Sequence, residues 1–287
     1  ANTINIAADI AAMGAAVRLL IPQVPIFITT IFFVIFIVGL EIVVPYQKYM
    51  KILKYTALSL LSYIITAIIV GGSWSQILTF SVIPQIEIKP EFATMFVAII
   101  GTSISPYLFF WQASEEAEED VAKQKIKEIG KGNPEVTKKE IKLMRIDIAV
   151  GIAFAELIVW AIVITTAGSL HTHGVTDIQS SEQAAKALEP LVKTFPHAGE
   201  IAKAIFAFGI IGTGLLAIPV LAGSSGYVLA DTFGWKQGLN KKFNQAKAFY
   251  IVIAAATSIG LLINFVNIDP IRALVYAAVI NAITSIP

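Results

Sequence analysis

The chain has 287 residues, of which 56% are hydrophobic and 14% charged, with a net charge of +1. A soluble domain carries roughly 25% charged residues, so this composition excludes an ordinary water-covered globule, and the near-neutral balance removes any case for a nucleic-acid partner. Cysteine is absent, which excludes disulfides, thiolate metal sites and cysteine nucleophiles.

A membrane-crossing helix needs about 20 predominantly apolar residues. Eight stretches meet that need, at 1–20, 24–44, 53–72, 92–113, 146–170, 201–230, 247–266 and 270–287. The expected fold class is therefore all-α, a single polytopic membrane domain over 1–287. The chain starts without Met and stops inside an apolar stretch at Pro287, so it reads as truncated at both ends.

The first stretch, INIAADIAAMGAAV, combines small residues with Asp9. Small residues let helices approach closely in lipid, which places this helix inside the bundle. A carboxylate there is costly and is usually functional; a structural pairing is the competing reading. Between the fourth and fifth stretches lies a charged loop, 114–145, that opens SEEAEEDVAKQKIKEIGKGNP. Glu119 and Lys123 have the i,i+4 order that supports a helix, ended by Gly130, Gly132 and Pro134. The loop reads as a solvated helical extension, or as an acidic vestibule that concentrates cations.

The basic residues set the orientation. Of the 21 Lys and Arg, fifteen fall in 45–54, 114–145 and 231–248. The other six, Arg18, Lys89, Lys186, Lys193, Lys203 and Arg272, fall on the opposite side. The first set of loops is expected in the cytoplasm, with the chain in a bacterial or archaeal cell membrane.

The fourth stretch, FVAIIGTSISPYLFFWQASEE, is the most informative. Pro106 has no N–H, and its ring clashes with the carbonyl four residues back, that of Thr102. Gly101, Thr102, Ser103 and Ser105 crowd the same place. A helix broken there frees carbonyl oxygens at membrane depth, tolerated only where they line a cavity or find protein donors. Transporters hold ions at such breaks; a plain proline kink is the alternative.

GTSISPYLFFWQAS resembles the sixth helix of the NRAMP transporters, whose pattern is G-A-T-V-M-P-H-N-L. Ser105 stands at the family's metal-binding Met, and Tyr107 at its His. NIAADIAAMGAAVRLL is similar to the third helix, with Asp9 on the family Asp, and VLAGSSGYVLADTFGW is similar to the eighth. The chain looks most like the NRAMP-related branch that lacks the helix-six methionine. The resemblance implies a LeuT-like fold of two inverted repeats, here spanning about helices three to ten, without the first helix and its D-P-G-N ligands. It also implies metal contacts at Thr102 and Ser105. The family pairs its Asp with arginines of helix nine, but 247–266 contains no Arg.

Three further features have open readings. Glu156, nearly alone in an apolar segment, either faces a water-filled pathway or bonds a neighbouring helix. Asn281 either lines the site or joins two helices. His171 and His173 form HTHG, which lacks a third metal ligand and reads as solvated loop. The glycines of 209–226 lack the Lys of a phosphate-binding loop and read as close helix packing, with a bend at Pro219.

The expected function is carriage of a divalent cation, Mg²⁺ or Mn²⁺, with weak proton coupling or none. The possible pathway comprises Asp9, Tyr107, Glu156 and Asn281. No resident cofactor and no partner protein is expected, only the cation and the lipid bilayer. An amino-acid or organic-solute carrier of the same fold is the first alternative, and a membrane enzyme the second.

Overall fold

The computed structural model describes residues 1–44, 46–70, 72–83, 86, 88–169, 171, 174, 196–266 and 270–285. Among the described residues the regular structure is all helical, apart from one isolated bridge between Glu128 and Lys131. In chain order the helices are α1 (Asn2–Leu20), α2 (Ile26–Val43), α3 (Tyr46–Thr56), α4 (Leu61–Val70), α5 (Trp74–Val82), α6 (Pro90–Ser103), α7 (Pro106–Ala122), α8 (Lys138–Ser169), α9 (Pro196–Phe233), α10 (Lys247–Ile263) and α11 (Pro270–Thr284). A short 3₁₀ turn at Ala57–Leu60 joins α3 to α4.

Among the described residues, six spans are long and apolar enough to cross a membrane: Asn2–Leu20, Ile26–Val43, Lys48–Ile68, Pro90–Ala122, Lys138–Gly168 and Ala207–Phe233. Two shorter apolar helices, Lys247–Ile263 and Arg272–Thr284, bring the apolar segments to the eight expected. The outward faces are apolar, as lipid contact requires. On α2, Phe27, Ile28, Ile31, Phe32, Ile35 and Phe36 are exposed while Thr30, Phe33, Val34 and Ile37 are buried.

Helix α1 packs against α2, α9, α10 and α11. Its small residues make this possible. A Cβ on Gly14 would meet Thr30 at 2.8 Å, one on Gly260 of α10 would meet Ile6 at 2.6 Å, and one on Gly214 of α9 would meet Met13 at 2.3 Å. Lipid is as apolar as Leu, so close packing rather than water exclusion holds such helices together. Helix α9 runs through Pro219 without ending.

The 114–145 region differs from its expected form. The extension of α7 ends at Ala122, well before the glycines, and the chain turns at Gln124 with φ 60°. The expected Glu119–Lys123 pair is present at 2.8 Å. The stretch is not simply solvated, because Glu118 is buried at 1% exposure. Its Oε1 accepts the Tyr227 hydroxyl at 2.7 Å and the Leu239 N–H at 2.5 Å, while Oε2 accepts the Asn240 amide at 2.5 Å. Lys241 adds an ion pair to Glu128 at 2.8 Å. These bonds bring 114–145 and 231–248 to one end of the bundle, where Tyr49 of α3 shares a core with Leu239 and Ala246. His173, Lys186 and Lys193 lie outside the described residues.

A cysteine placed at Lys131 should be labelled by a membrane-impermeant reagent only from the cytoplasm, and one at His171 only from the opposite side. The chain's lack of cysteine gives a clean background, and labelling of both from one side would overturn the topology.

Candidate functional site

The interruption expected at Pro106 is present. Helix α6 stops at Ser103 and α7 begins at Pro106, with Ile104 (φ −115°, ψ 67°) and Ser105 (φ −89°, ψ 131°) between them. The Ile104 N–H still reaches the Ile100 carbonyl at 2.8 Å. The carbonyls of Gly101 and Thr102 then lose their helical donors, and buried carbonyls left without donors are costly. The Ser105 hydroxyl has one proton for both, lying 2.7 Å from the Gly101 oxygen and 3.2 Å from the Thr102 oxygen. It caps the nearer Gly101 carbonyl and leaves that of Thr102, freed by Pro106, only the weaker share. Ser285 donates to the Ile104 carbonyl and, at 2.7 Å, to that of Asn281.

The break also admits a neighbour. A Cβ on Gly101 would lie 1.9 Å from the Ala278 carbonyl oxygen and 2.7 Å from the Ala282 nitrogen. The backbone of α11 thus rests directly on α6 at the interruption, and only glycine fits there.

Beside the break, residues of α1, α7, α9, α10 and α11 line an open-sided, mainly apolar cavity of about 590 Å³. Its polar lining includes Asn2, Tyr107, Ser224, Ser225 and Asn281. Asn2 donates to the Leu221 carbonyl at 3.2 Å and to the Ser225 hydroxyl at 3.0 Å. Ser224 donates at 3.1 Å to the Tyr107 carbonyl, so the start of α7 is tied to α9. The Asn281 side chain is buried at 5% exposure and makes no hydrogen bond among the described residues. The helix-joining bond considered for it is absent there; it faces the cavity instead.

Asp9 is half-buried on the inner side of α1, two turns from Asn2. It lies within electrostatic reach of the phenols of Tyr107 and Tyr63. Tyr107 is also within hydrogen-bonding reach of the Ser105 side chain, and Tyr63 takes a 3.3 Å hydrogen bond from Thr213 of α9. Phenols stand near this carboxylate.

The six residues singled out in the sequence therefore separate. Tyr107 and Asn281 line the cavity, Ser105 sits at the break, and Asp9 lies within electrostatic reach of Tyr107. Thr102 and Glu156 are exposed on the other face of α6, where Glu156 accepts a 3.3 Å hydrogen bond from Ser103. The Thr102 hydroxyl is turned back to the Ala98 carbonyl at 2.8 Å. Asn2, Ser224 and Ser225 were not expected in the lining; paired serines among the small residues of AGSSG were their one signal. No group of three or more His, Asp or Glu that could hold a metal occurs among the described residues.

Substituting Gly101 by Ala forces the α11 backbone away from the break. Overpacking of this kind costs about 1–3 kcal/mol, so Gly101→Ala should lower thermal stability measurably, whereas Gly151→Ala, at a position with open space, should not.

A family model described as natural resistance-associated macrophage protein-like (Nramp) matches residues 1–286. A divalent metal cation transporter, MntH, of Caldanaerobacter subterraneus subsp. tengcongensis is 28% identical over 222 residues, covering 77% of this chain and 46% of that protein. The match thus spans about half the length of the curated relative. With nearly every residue matched in order, the chain belongs to the Nramp family.

Proposed function

We propose that this chain forms part of a secondary transporter that carries a divalent metal cation across the membrane, with the interruption at 104–105 and the adjoining cavity as its pathway. One observation carries the reading: a broken helix adjoins an open-sided, mainly apolar cavity into which a few neutral hydroxyl and amide groups project. Half-helix ends of this kind suit ions, and family membership supports the same cargo. It also argues against the membrane-enzyme alternative. The cation is cargo, and no resident cofactor is invoked.

Ser105 and Thr102 are proposed as metal contacts in different degrees. A hydroxyl that donates its proton keeps its lone pairs, so Ser105 can cap Gly101 and still offer oxygen to a cation. Thr102 is the weaker contact, since its side chain is exposed on the face away from the cavity and turned back to the Ala98 carbonyl. Tyr107 and Asn281 add oxygen donors on the cavity side, and Asp9 supplies the negative charge. Glu156 is the weakest pathway member, because it faces away. Hydroxyl, carbonyl and carboxylate oxygens suit Mg²⁺ and Mn²⁺, whereas the thioether the family carries at position 105 favours softer ions.

Proton coupling is proposed to be weak or absent. A phenol has a reference pKa near 10 and shuttles protons poorly at neutral pH, and Asp9 faces tyrosines. The full-length protein in liposomes should accumulate Mn²⁺ or Mg²⁺ down a gradient without acidifying the interior. Acidification in fixed proportion to the metal would refute this, and absence of any metal flux would refute the transport reading itself.

The ligand role of Ser105 has its own test. Ser105→Met introduces a soft donor and should move the competition between Cd²⁺ and Mn²⁺ toward Cd²⁺ by about tenfold, equivalent to about 1.4 kcal/mol. A wild-type preference for Cd²⁺ that the substitution leaves unchanged would remove Ser105 from the site.

A further inference from the structure

Helix α2 has a narrow inward stripe, Thr30, Phe33, Val34 and Ile37, spaced as one face of a helix. The next position on that stripe is Glu41. It is buried at 3% exposure within the main apolar core, and neither carboxyl oxygen has a hydrogen-bond partner. It also has no ion pair among the described residues. Tyr49 of α3, 1% exposed, has an equally unpartnered hydroxyl and lies within electrostatic reach of Glu41. The titratable groups that face Glu41 are Tyr49 and, from α10, Tyr250; beyond the two phenols stand Glu115 and Glu118 of α7. Helices α1 and α9, which also pack on α2, contribute no charge that acts on it among the described residues.

An ionised carboxylate without donors, cation or water is the least tolerable group a protein interior can hold, and such groups neutralise instead. The neighbours make the problem worse, since the charged groups nearby among the described residues are the carboxylates of Glu115 and Glu118. A metal ion is a poor remedy: it needs several oxygens, and the unpartnered ones of this pair are two from Glu41 and one from Tyr49. A proton needs only one.

We propose that Glu41 is a proton-binding site, separate from the helix break, occupied while the ends of α2 and α3 are packed together. When these ends part, the carboxyl O–H breaks, the electron pair stays on the carboxylate, and the proton passes to water on the side where 45–54 lies. The site does not depend on the transport reading, and its test uses no transport.

The infrared spectrum of the full-length protein in lipid at pH 7 should contain a neutral-carboxyl C=O band that weakens in Glu41→Gln and persists in Glu156→Gln. Stability provides the second readout. A proton held by the folded protein and released on unfolding makes stability fall as pH rises above the range of an exposed carboxylate. The folding equilibrium of wild type should thus drop about tenfold per pH unit relative to Glu41→Gln between pH 6 and 8. An identical carboxyl band in both proteins, together with parallel stability curves, overturns the proposal. A Glu41→Gln protein that cannot fold overturns it too, because the amide is the nearest neutral copy of a protonated carboxyl.

Discussion

The arrangement of the site depends on one missing hydrogen-bond donor, the backbone nitrogen of Pro106. Without it the ladder of α6 cannot continue into α7, and inside a membrane no water replaces the lost bond. The remedy is local. Ser105 turns its hydroxyl onto Gly101 and Thr102, and Ser285 reaches the Ile104 carbonyl. Because Ser285 is on the far end of the sequence, repairing the break also fixes where α11 sits. The absence of a side chain at Gly101 then lets the α11 backbone close over the same point.

The second constraint is that helices in lipid gain little from hiding apolar surface from one another. They are held by close fit and by hydrogen bonds between polar groups. The fit is visible where glycines receive bulky neighbours, Gly223 against Trp111 and Gly212 against Ser59. The bonds are visible at Ser224 with the Tyr107 carbonyl and at Asn264 with the Ala7 carbonyl, 2.9 Å apart. Each ties a helix of one half of the chain to a helix of the other. The cavity exists between these ties, bounded by α1, α7, α9, α10 and α11.

Features that obey a local rule could be read in advance. Hydropathy located the apolar segments, because crossing a membrane is a property of about 20 consecutive residues. Pro106 located the break, because a proline acts on a carbonyl four positions away. Features made by distant partners could not be read. Glu118 lies in a run of acids that looks solvated, and its partners Tyr227, Leu239 and Asn240 are more than 100 positions away. Ser224 and Ser225 look like packing residues until α7 and α1 are placed against them. Glu156 had two open readings, a water-filled pathway or a bond to a neighbouring helix, and its partner is Ser103 of α6. Hydrophobic neighbours in sequence say that a residue is at membrane depth. They do not say which side of the helix it occupies.

Two carboxylates at membrane depth show how much the surroundings decide. Asp9 is half-buried beside phenols and close to a cavity, so groups able to donate hydrogen bonds stand near its charge. Glu41 is fully buried on an apolar stripe, where its nearest polar companion is a phenol that is itself unpartnered. The same chemical group therefore meets opposite demands. In the proposed pathway a charged Asp9 would add attraction for a cation, and the neutral oxygens of Ser105, Tyr107 and Asn281 would share its coordination without adding charge that holds the ion too tightly to leave. Glu41 has other surroundings, since its electrostatic neighbours among the described residues are phenols and carboxylates. Under that proposal attraction for metal belongs at the break, while the burial of Glu41 belongs to the packing around α2 and α3. The two acids need not act on the same ion, and a change of pH that empties one need not disturb the other.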